Sequence, residues 1–334
     1  MSTSAATASR ERVARLRAGA QLLHRPERLG AHELVRRLGA VQAQDARAWP
    51  QALAARTDGL AGAPDEDPAL VRTWLMRGTL HVVPAEDAAW MRDLLVPRMA
   101  TASRRRMAQL GFDERSADEA VARVAQALED GPLTRAQVAA VLEEAGLPCT
   151  GQAPVHVLFR AAARGVLVGG PGDTVVSAAD RLPPARAPAD PEAELARRRL
   201  RSRAPAHPED FAAWAGLPLG VARAAWRRLD LVETGGGWAL RDAVPEPVRP
   251  GLVRALPMFD ELLLGWHDRS PVLAPEHAAA VVRGGIVRAV VTVGGRVAGT
   301  WTREGAELFA PVPARALERE LRRARSAARR PASS

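Results

Sequence analysis

The chain is 334 residues long, 47% hydrophobic and 25% charged, with a net charge of +9 and a pI near 11.2. The positive excess points to a polyanionic partner, most simply nucleic acid, although a GC-rich genome also inflates Arg and Ala; the two readings are compatible. All 47 basic residues are Arg and there is no Lys, Asn or Tyr, so a lysine Schiff base is excluded, and the single Cys149 excludes disulfides and Cys-rich metal centres.

Taken in order, ERVARLRAGAQLL and AHELVRRLGAVQAQ read as two helices, the second carrying Leu34, Leu38 and Val41 on one stripe. After a Pro/Gly/Asp-rich stretch at 58–68 comes LVRTWLMRGTLHVVP, whose second half alternates like a wing strand and stops at Pro84. SADEAVARVAQALEDG predicts a helix. Thr134 predicts the N-cap of a second, and APVHVLFRAAARG a third that ends at Gly165. Two β-rich runs around Gly-Pro-Gly-Asp follow. Helix, helix, helix and hairpin is the order of a winged helix. The pattern returns at 191–243, with PEAELARRRLRSR, a short helix near Pro208, LGVARAAWRRL and a hairpin turning at Gly235-Gly236-Gly237.

From about 253 the texture becomes strand-rich, with a hairpin turn at Gly294-Gly295. The expected fold is therefore mainly α with β (α+β): three tandem winged-helix units at 10–112, 113–185 and 186–248. A β-barrel-like domain at 249–313 and an Arg-rich C-terminal helix and tail at 314–334 complete it. No stretch approaches the roughly 20 apolar residues of a membrane span, and the N-terminus lacks a signal-peptide core. The expectation is a cytoplasmic, nucleoid-associated bacterial protein, a monomer with no membrane partner.

Helix-turn-helix units present a helix to the major groove, which makes duplex DNA the expected partner. Arg104-Arg105-Arg106 and Arg197-Arg198-Arg199, the latter followed by Arg201 and Arg203, read either as phosphate contacts or as solvated helix faces. His81 sits near Arg72 and Arg77 in the first wing and reads as structural or as DNA-facing. Trp49, Trp74 and Trp266 read as core or as base-stacking platforms. The run Trp266-His267-Asp268-Arg269 reads as a surface contact or as a turn held by its Asp-Arg pair.

The segment VQAQD, residues 41–45, is unusual at a helix end. On a continuing helix Gln42 and Gln44 would lie about 200° apart, at about 100° per residue, and could not converge. In an extended segment residues i and i+2 share a side. Cooperation therefore requires the helix to stop near Val41, with Ala43 turned back into the protein and both amides outward. Amides cannot act as a general base, but they can orient a water or fix a base edge. A capping or packing role for the pair is the alternative.

LVRRLGAVQAQDARAWPQALAART, RTWLMRGTLHVVPAED, FAAWAGLPLGVARAAWRRL and LPMFDELLLGWHDRSPVL together resemble the winged-helix family of DNA glycosylases that contains AlkZ and YcaQ. The resemblance spans about residues 10–310. It implies tandem winged helices with a β-barrel and excision of bulky N-alkylated purines of the N7-alkylguanine type, in general repair or in self-resistance to a genotoxic natural product. The family motif is Gln-x-Gln in AlkZ-like members and Gln-x-Asp in YcaQ-like ones. This sequence matches the first, which implies Gln42 and Gln44 as catalytic residues; Asp45 falls one position late for the second. Asp45, Arg47, Arg72, Arg77, His81 and Arg269 are the accompanying DNA-contact candidates, and no metal or cofactor is expected. The absence of lysine fits a monofunctional enzyme that leaves an abasic site, with the N-terminal amine the one remaining Schiff-base former. A non-catalytic winged-helix regulator is the rival reading.

Overall fold

Residue 39 decides how the VQAQD segment is presented. The helix α2 (Ala31–Leu38) closes at Gly39, whose φ of 80° is open to glycine at little cost, and the Gly39 N–H donates to the Val35 carbonyl at 2.9 Å. The structure is a computed structural model that describes residues 3–25, 28–60 and 62–328. The chain forms two compact units, Met1–Pro64 with Glu192–Ser334, and Asp65–Pro191.

The first unit begins with α1 (Thr3–Ala20), α2, β1 (Val41–Gln42) and α3 (Ala48–Ala54). The second contains β2 (Leu70–Trp74), β3 (Leu80–Pro84), α4 (Ala85–Leu95), α5 (Ala100–Gln109), α6 (Glu114–Ala127), β4 (Leu133–Thr134), α7 (Arg135–Glu144) and α8 (Ala153–Ala163). It ends with β5 (Leu167–Gly169), β6 (Thr174–Ser177) and α9 (Ala178–Arg181). The first unit resumes with α10 (Pro191–Arg203), α11 (Pro208–Ala215), α12 (Leu219–Trp226), β7 (Leu231–Thr234), β8 (Gly237–Leu240), β9 (Val253–Leu256), α13 (Ala278–Val281), β10 (Val282–Arg283) and β11 (Ile286–Val287). Finally come β12 (Val290–Val293), β13 (Arg296–Trp301), β14 (Ala306–Leu308) and α14 (Ala314–Ala328). Helices α3 and α4 were not anticipated from sequence, and α5 only as the helix face that is one reading of Arg104-Arg105-Arg106. Among the described residues no helix is long and apolar enough to cross a membrane.

In the second unit, local signals carry the elements. Asp113 and Ser116 cap α6 reciprocally, at 2.7 and 2.9 Å. Thr134 and Gln137 cap α7 in the same way, with the Thr134 N–H donating to the Gln137 side chain at 2.8 Å. Val121 and Val124 of α6, Val138 and Leu142 of α7, and Val157 and Ala161 of α8 meet in one core. The strands β3, β2, β5, β6 and β4 lie side by side in that order. Gly169 permits the β2–β5 approach, since a Cβ there would stand 2.9 Å from both the Cβ and the carbonyl oxygen of Arg72.

In the first unit, α10, α11, α12 and the β7–β8 hairpin appear in the expected order, with Pro208 at the first position of α11. The C-terminal strands, however, form an open four-stranded antiparallel sheet in the order β14-β13-β12-β9, not a barrel. Each face is covered instead of curled. Val253, Ala255, Val291 and Trp301 pack under Leu317 and Leu321 of α14, while Leu256, Val290 and Val297 on the other face pack against Ala14, Ala18 and Leu262–Leu264. The Arg-rich helix is therefore the cover of this sheet. Its Glu320 is 3% exposed and pairs with Arg25 at 2.8 Å and Arg254 at 3.4 Å.

A buried polar network lies at the centre of this unit. The Arg56 guanidinium meets the Asp260 carboxylate at 2.8 and 2.9 Å, both side chains fully buried, and donates to Gln21 Oε1 at 2.7 Å. Burial works against the Arg56 charge, but the Asp260 and Glu261 carboxylates outweigh it and raise its pKa. Removing one partner leaves an uncompensated buried charge. Arg56→Met should lower the unfolding free energy by about 3–5 kcal/mol, and adding Asp260→Leu should recover part of that loss, as measured by urea denaturation.

Candidate active site

The chain leaves α2 at Leu38, three residues earlier than the sequence-based expectation of Val41, because Gly39 takes the left-handed turn. The Leu38 carbonyl is a helix-end acceptor with no partner inside α2. It accepts from Ser202 Oγ at 3.0 Å and from Arg203 Nη1 at 2.9 Å. Val41 and Gln42 are extended, and the backbone bends at Gln44.

Gln42 is 8% exposed, Ala43 is 1% exposed and Gln44 is exposed. Ala43 thus points back into the protein as its spacing predicts. The two amides differ: Gln44 faces outward, whereas Gln42 is nearly covered. The Gln42 N–H donates to Glu261 Oε1 at 2.5 Å, and the other Glu261 oxygen accepts from Arg203. The Glu261 carbonyl accepts from Gln21 Nε2 at 3.0 Å. Gln42 is therefore gripped by its backbone, while its side-chain amide has no hydrogen-bond partner among the described residues.

Asp45 caps α3. Its Oδ1 accepts from the N–H groups of Arg47 and Ala48 at 2.8 and 3.1 Å. An acid one position late for the Gln-x-Asp pattern thus has a local structural task. The Arg47 side chain is exposed. Immediately beyond the motif, Asp45 and Arg47 line a cavity of about 410 Å³ with Pro257, Met258, Arg288 and Trp301; neither glutamine lines it.

In the other unit, Arg72, Arg77 and His81 lie on one β-hairpin. Thr73 faces His81 across it, and Trp74 faces Leu80. Arg72 is 16% exposed at its side chain, donates to the Gly172 carbonyl at 2.8 Å and lies 3.7 Å from Asp173. Burial holds its pKa below the usual arginine value, with Asp173 opposing. Arg77, at the tip, is exposed and takes a left-handed backbone with φ 56° and ψ 22°. His81 is 3% exposed, and its Nδ1 is 2.9 Å from the Thr79 carbonyl. A carbonyl only accepts, so Nδ1 carries the proton. His81 is a buried hairpin residue.

Arg269 lies apart from the cavity lining, half-buried, with Nε donating to the Leu263 carbonyl at 2.9 Å. Asp268 instead accepts from Ser270 N and Oγ, both at 2.8 Å. The turn is therefore held by serine as well as by arginine-to-backbone bonding. Trp49 and Trp266 are 5% and 4% exposed and belong to the core, and the half-buried Trp74 packs on the α6–α8 core.

The run Arg197–Arg203 fits neither of its two sequence readings throughout. Arg199 and Arg203 are fully buried. Arg199 stands 4.6 Å from the Trp266 ring centroid and 5.5 Å from that of Trp214, and donates to the Gly265 carbonyl at 2.5 Å. Burial pushes the Arg199 pKa well down. The Trp faces offer an apolar and cation-attracting lining to a guanidinium whose Nε and Nη1 have no acceptor among the described residues. By contrast, Arg104–Arg106 on α5 are exposed. Sequence reasoning missed Glu261, which anchors Gln42 across 219 positions. The acid-hydrophobe run Asp260-Glu261-Leu262-Leu263-Leu264 was its only local signal, since two adjacent acids leading into an apolar run suggest buried carboxylates that need cations.

No curated protein sequence matches the chain. Streptomyces sahachiroi DNA glycosylase AlkZ superposes with a TM-score of 0.79 at 26% identity, covering 95% of this chain and 96% of that one. The family model for AlkZ-like DNA glycosylases matches residues 35–332, from within α2 through α14. The chain belongs to the AlkZ-like DNA glycosylase family and is a DNA N-glycosylase.

Proposed function

We propose that the protein excises bulky N-alkylated purines, of the N7-alkylguanine type, from duplex DNA, with Gln42 and Gln44 as the catalytic pair. The observation that carries this is the Gln42 amide: a nearly buried side chain fixed by its backbone to Glu261, with both amide functions free for a water or a nucleotide. The anchor fixes the backbone from which the amide projects, so less of the ordering cost is left for the bound state.

N7 alkylation gives guanine a positive charge, so the C1′–N9 bond is weakened before the enzyme acts. As the bond breaks the base leaves neutral and needs no proton. The sugar develops oxocarbenium character, a water oxygen bonds to C1′, and the water's proton passes to solvent. The protein must position the water and stabilise the developing charge, and the carbonyl oxygen of an amide can do both. Asp45 is committed to capping α3, which favours the amide reading over one in which that acid is the base. With no lysine in the chain, strand cleavage through a lysine Schiff base is unavailable, and the product is an abasic site.

The proposed DNA contacts are Arg47 beside the motif and Arg77 at the hairpin tip, with Arg72 supporting that hairpin. His81 and Arg269 are buried or tied to backbone carbonyls, and their roles in this reading are to hold their loops. The working form is a monomer in the bacterial cytoplasm acting on the nucleoid. Both repair and self-resistance to a genotoxic natural product draw on this chemistry, and the three tandem winged-helix units are the proposed means of gripping the duplex.

Under single-turnover conditions on a duplex with one N7-alkylguanine, Gln42→Ala and Gln44→Ala should each slow base release by about 10²-fold. Duplex affinity should stay near that of the wild type. Release at the wild-type rate by either variant removes that glutamine from the catalytic assignment.

Arg77→Gly separates binding from stability. It relieves a left-handed cost of about 1–2 kcal/mol against a glycine entropy cost of about 0.5–1 kcal/mol, so stability should rise slightly. Affinity for duplex should fall, and the slope of log K against log salt should shrink by about 1. An unchanged salt slope places Arg77 off the DNA.

A further inference from the structure

We propose that the cavity next to the glutamine motif is a nucleotide site. It receives one unpaired nucleotide of the DNA strand, the base against an apolar floor and its phosphates on an arginine rim. This rests on the reading that the Gln42–Gln44 segment acts on DNA, and it concerns a different surface from the glutamines themselves.

The floor is made by Pro257, Met258 and the Trp301 ring, whose Nε1 is turned away to the Leu256 carbonyl at 2.7 Å. The indole, 8% exposed, therefore offers the cavity carbon surface without a competing donor. The rim carries Arg47, Arg288 and Arg303, all exposed. Arg325 also lines the cavity, and its buried Nε has no acceptor among the described residues. The one acid in the lining is Asp45, whose Oδ1 is already taken by the α3 cap. Glu304, beside the lining, acts on Arg303 and Arg325, so four guanidiniums face two carboxylates and the rim keeps a positive excess. None of the four forms an ion pair among the described residues, whereas Arg56, Arg203 and Arg25 in the same unit are paired.

The combination selects the ligand class. An apolar floor alone fits any aromatic molecule, and an arginine rim alone fits any phosphate. A floor of ring and methyl surface with guanidiniums around it fits a nucleotide, since stacking is insensitive to base identity and guanidiniums grip phosphate oxygens in pairs. At about 410 Å³ the cavity lies at the lower end of the range for small-ligand pockets. A base still paired and stacked between its neighbours does not enter a concavity of that size, so the occupant is an unstacked nucleotide. Continuity supplies the last link: Asp45 lines the cavity and directly follows Gln44.

The test uses the full chain and undamaged ligands, so no excision is involved. Calorimetric titration with dGMP, deoxyguanosine and inorganic phosphate should rank dGMP tightest. The double variant Arg288→Ala/Arg303→Ala, both exposed positions, should weaken dGMP by about 10-fold or more. By fluorescence anisotropy, wild type should prefer a duplex with one unpaired nucleotide over a fully paired one, and the variant should lose that preference. Equal binding of dGMP and inorganic phosphate, or dGMP affinity untouched by the double variant, overturns the proposal. A second variant, Met258→Glu, guards against a rim effect on DNA generally: it should reduce dGMP binding and leave fully paired duplex binding unchanged, and equal losses on both overturn the base-on-floor assignment. Excision by wild type without dGMP binding sinks the cavity and leaves the glutamine reading intact. Binding of dGMP with glutamine variants that excise normally does the reverse.

Discussion

Asp260 and Glu261, two adjacent buried carboxylates, tie together segments that are distant in the chain. Asp260 takes the Arg56 guanidinium at the end of α3. Glu261 takes Arg203 from α10 and the N–H of Gln42, and its carbonyl takes the Gln21 amide after α1. Arg203 in turn caps the last carbonyl of α2. The end of α2, the start of the glutamine motif and the far end of α3 are thus fixed by one pair of acids. A buried ion pair is weak evidence of net stability, because desolvation offsets much of its attraction. Its value here is positional: each carboxylate oxygen has a directional partner.

That arrangement explains which parts of the molecule were legible in its sequence. Thr134 with Gln137, Pro208 at the start of α11 and the Gly294-Gly295 turn are signals whose partners lie within three residues, and they were readable. The helix order of both three-helix stretches followed from them. What was not readable depended on distant partners. A stop near Val41 was expected because the two amides could cooperate only beyond a helix end, yet Gly39 and the capping by Ser202 and Arg203 end α2 earlier. Arg199 and Arg203 looked like DNA contacts or solvent-facing charges because composition cannot show that Trp214, Trp266 and Glu261 surround them. The open sheet was read as a barrel because alternation reveals two-sided strands but not what covers each side; α14 does.

An arginine-only complement of cations sharpens the same point. Arg17, Arg56, Arg199, Arg203 and Arg254 are buried, and two of them, Arg17 and Arg254, are pushed down to a pKa of about 10 by burial. Internal Arg–carboxylate pairs cancel and leave the formal charge of +9 unchanged, but they and arginines on carbonyls, such as Arg199 on Gly265, lower the number of arginines that face solvent. The groups left to meet DNA are those that are exposed and not drawn into ion pairs. In the first unit these include Arg47, Arg288 and Arg303, and in the second Arg77. Exposure and pairing, more than sequence clustering, separate an arginine that builds the fold from one that can grip phosphate.

The division of labour within VQAQD follows from the same constraints. A carboxylate at position 44 would sit exposed, where water stabilises its charge and blunts its use as a base. An amide carries no such charge and needs no tuning, which suits a substrate whose leaving group is already activated. Gln42 has a backbone anchor in a buried network and a side-chain amide with no hydrogen-bond partner among the described residues. Asp45 supplies the acid that the segment contains, but spends it on the first turn of α3, which holds Arg47 at the mouth of the cavity. Three neighbouring polar residues thus stand in three different settings: Gln42 is nearly buried on a glutamate, Gln44 is exposed and Asp45 holds a helix start.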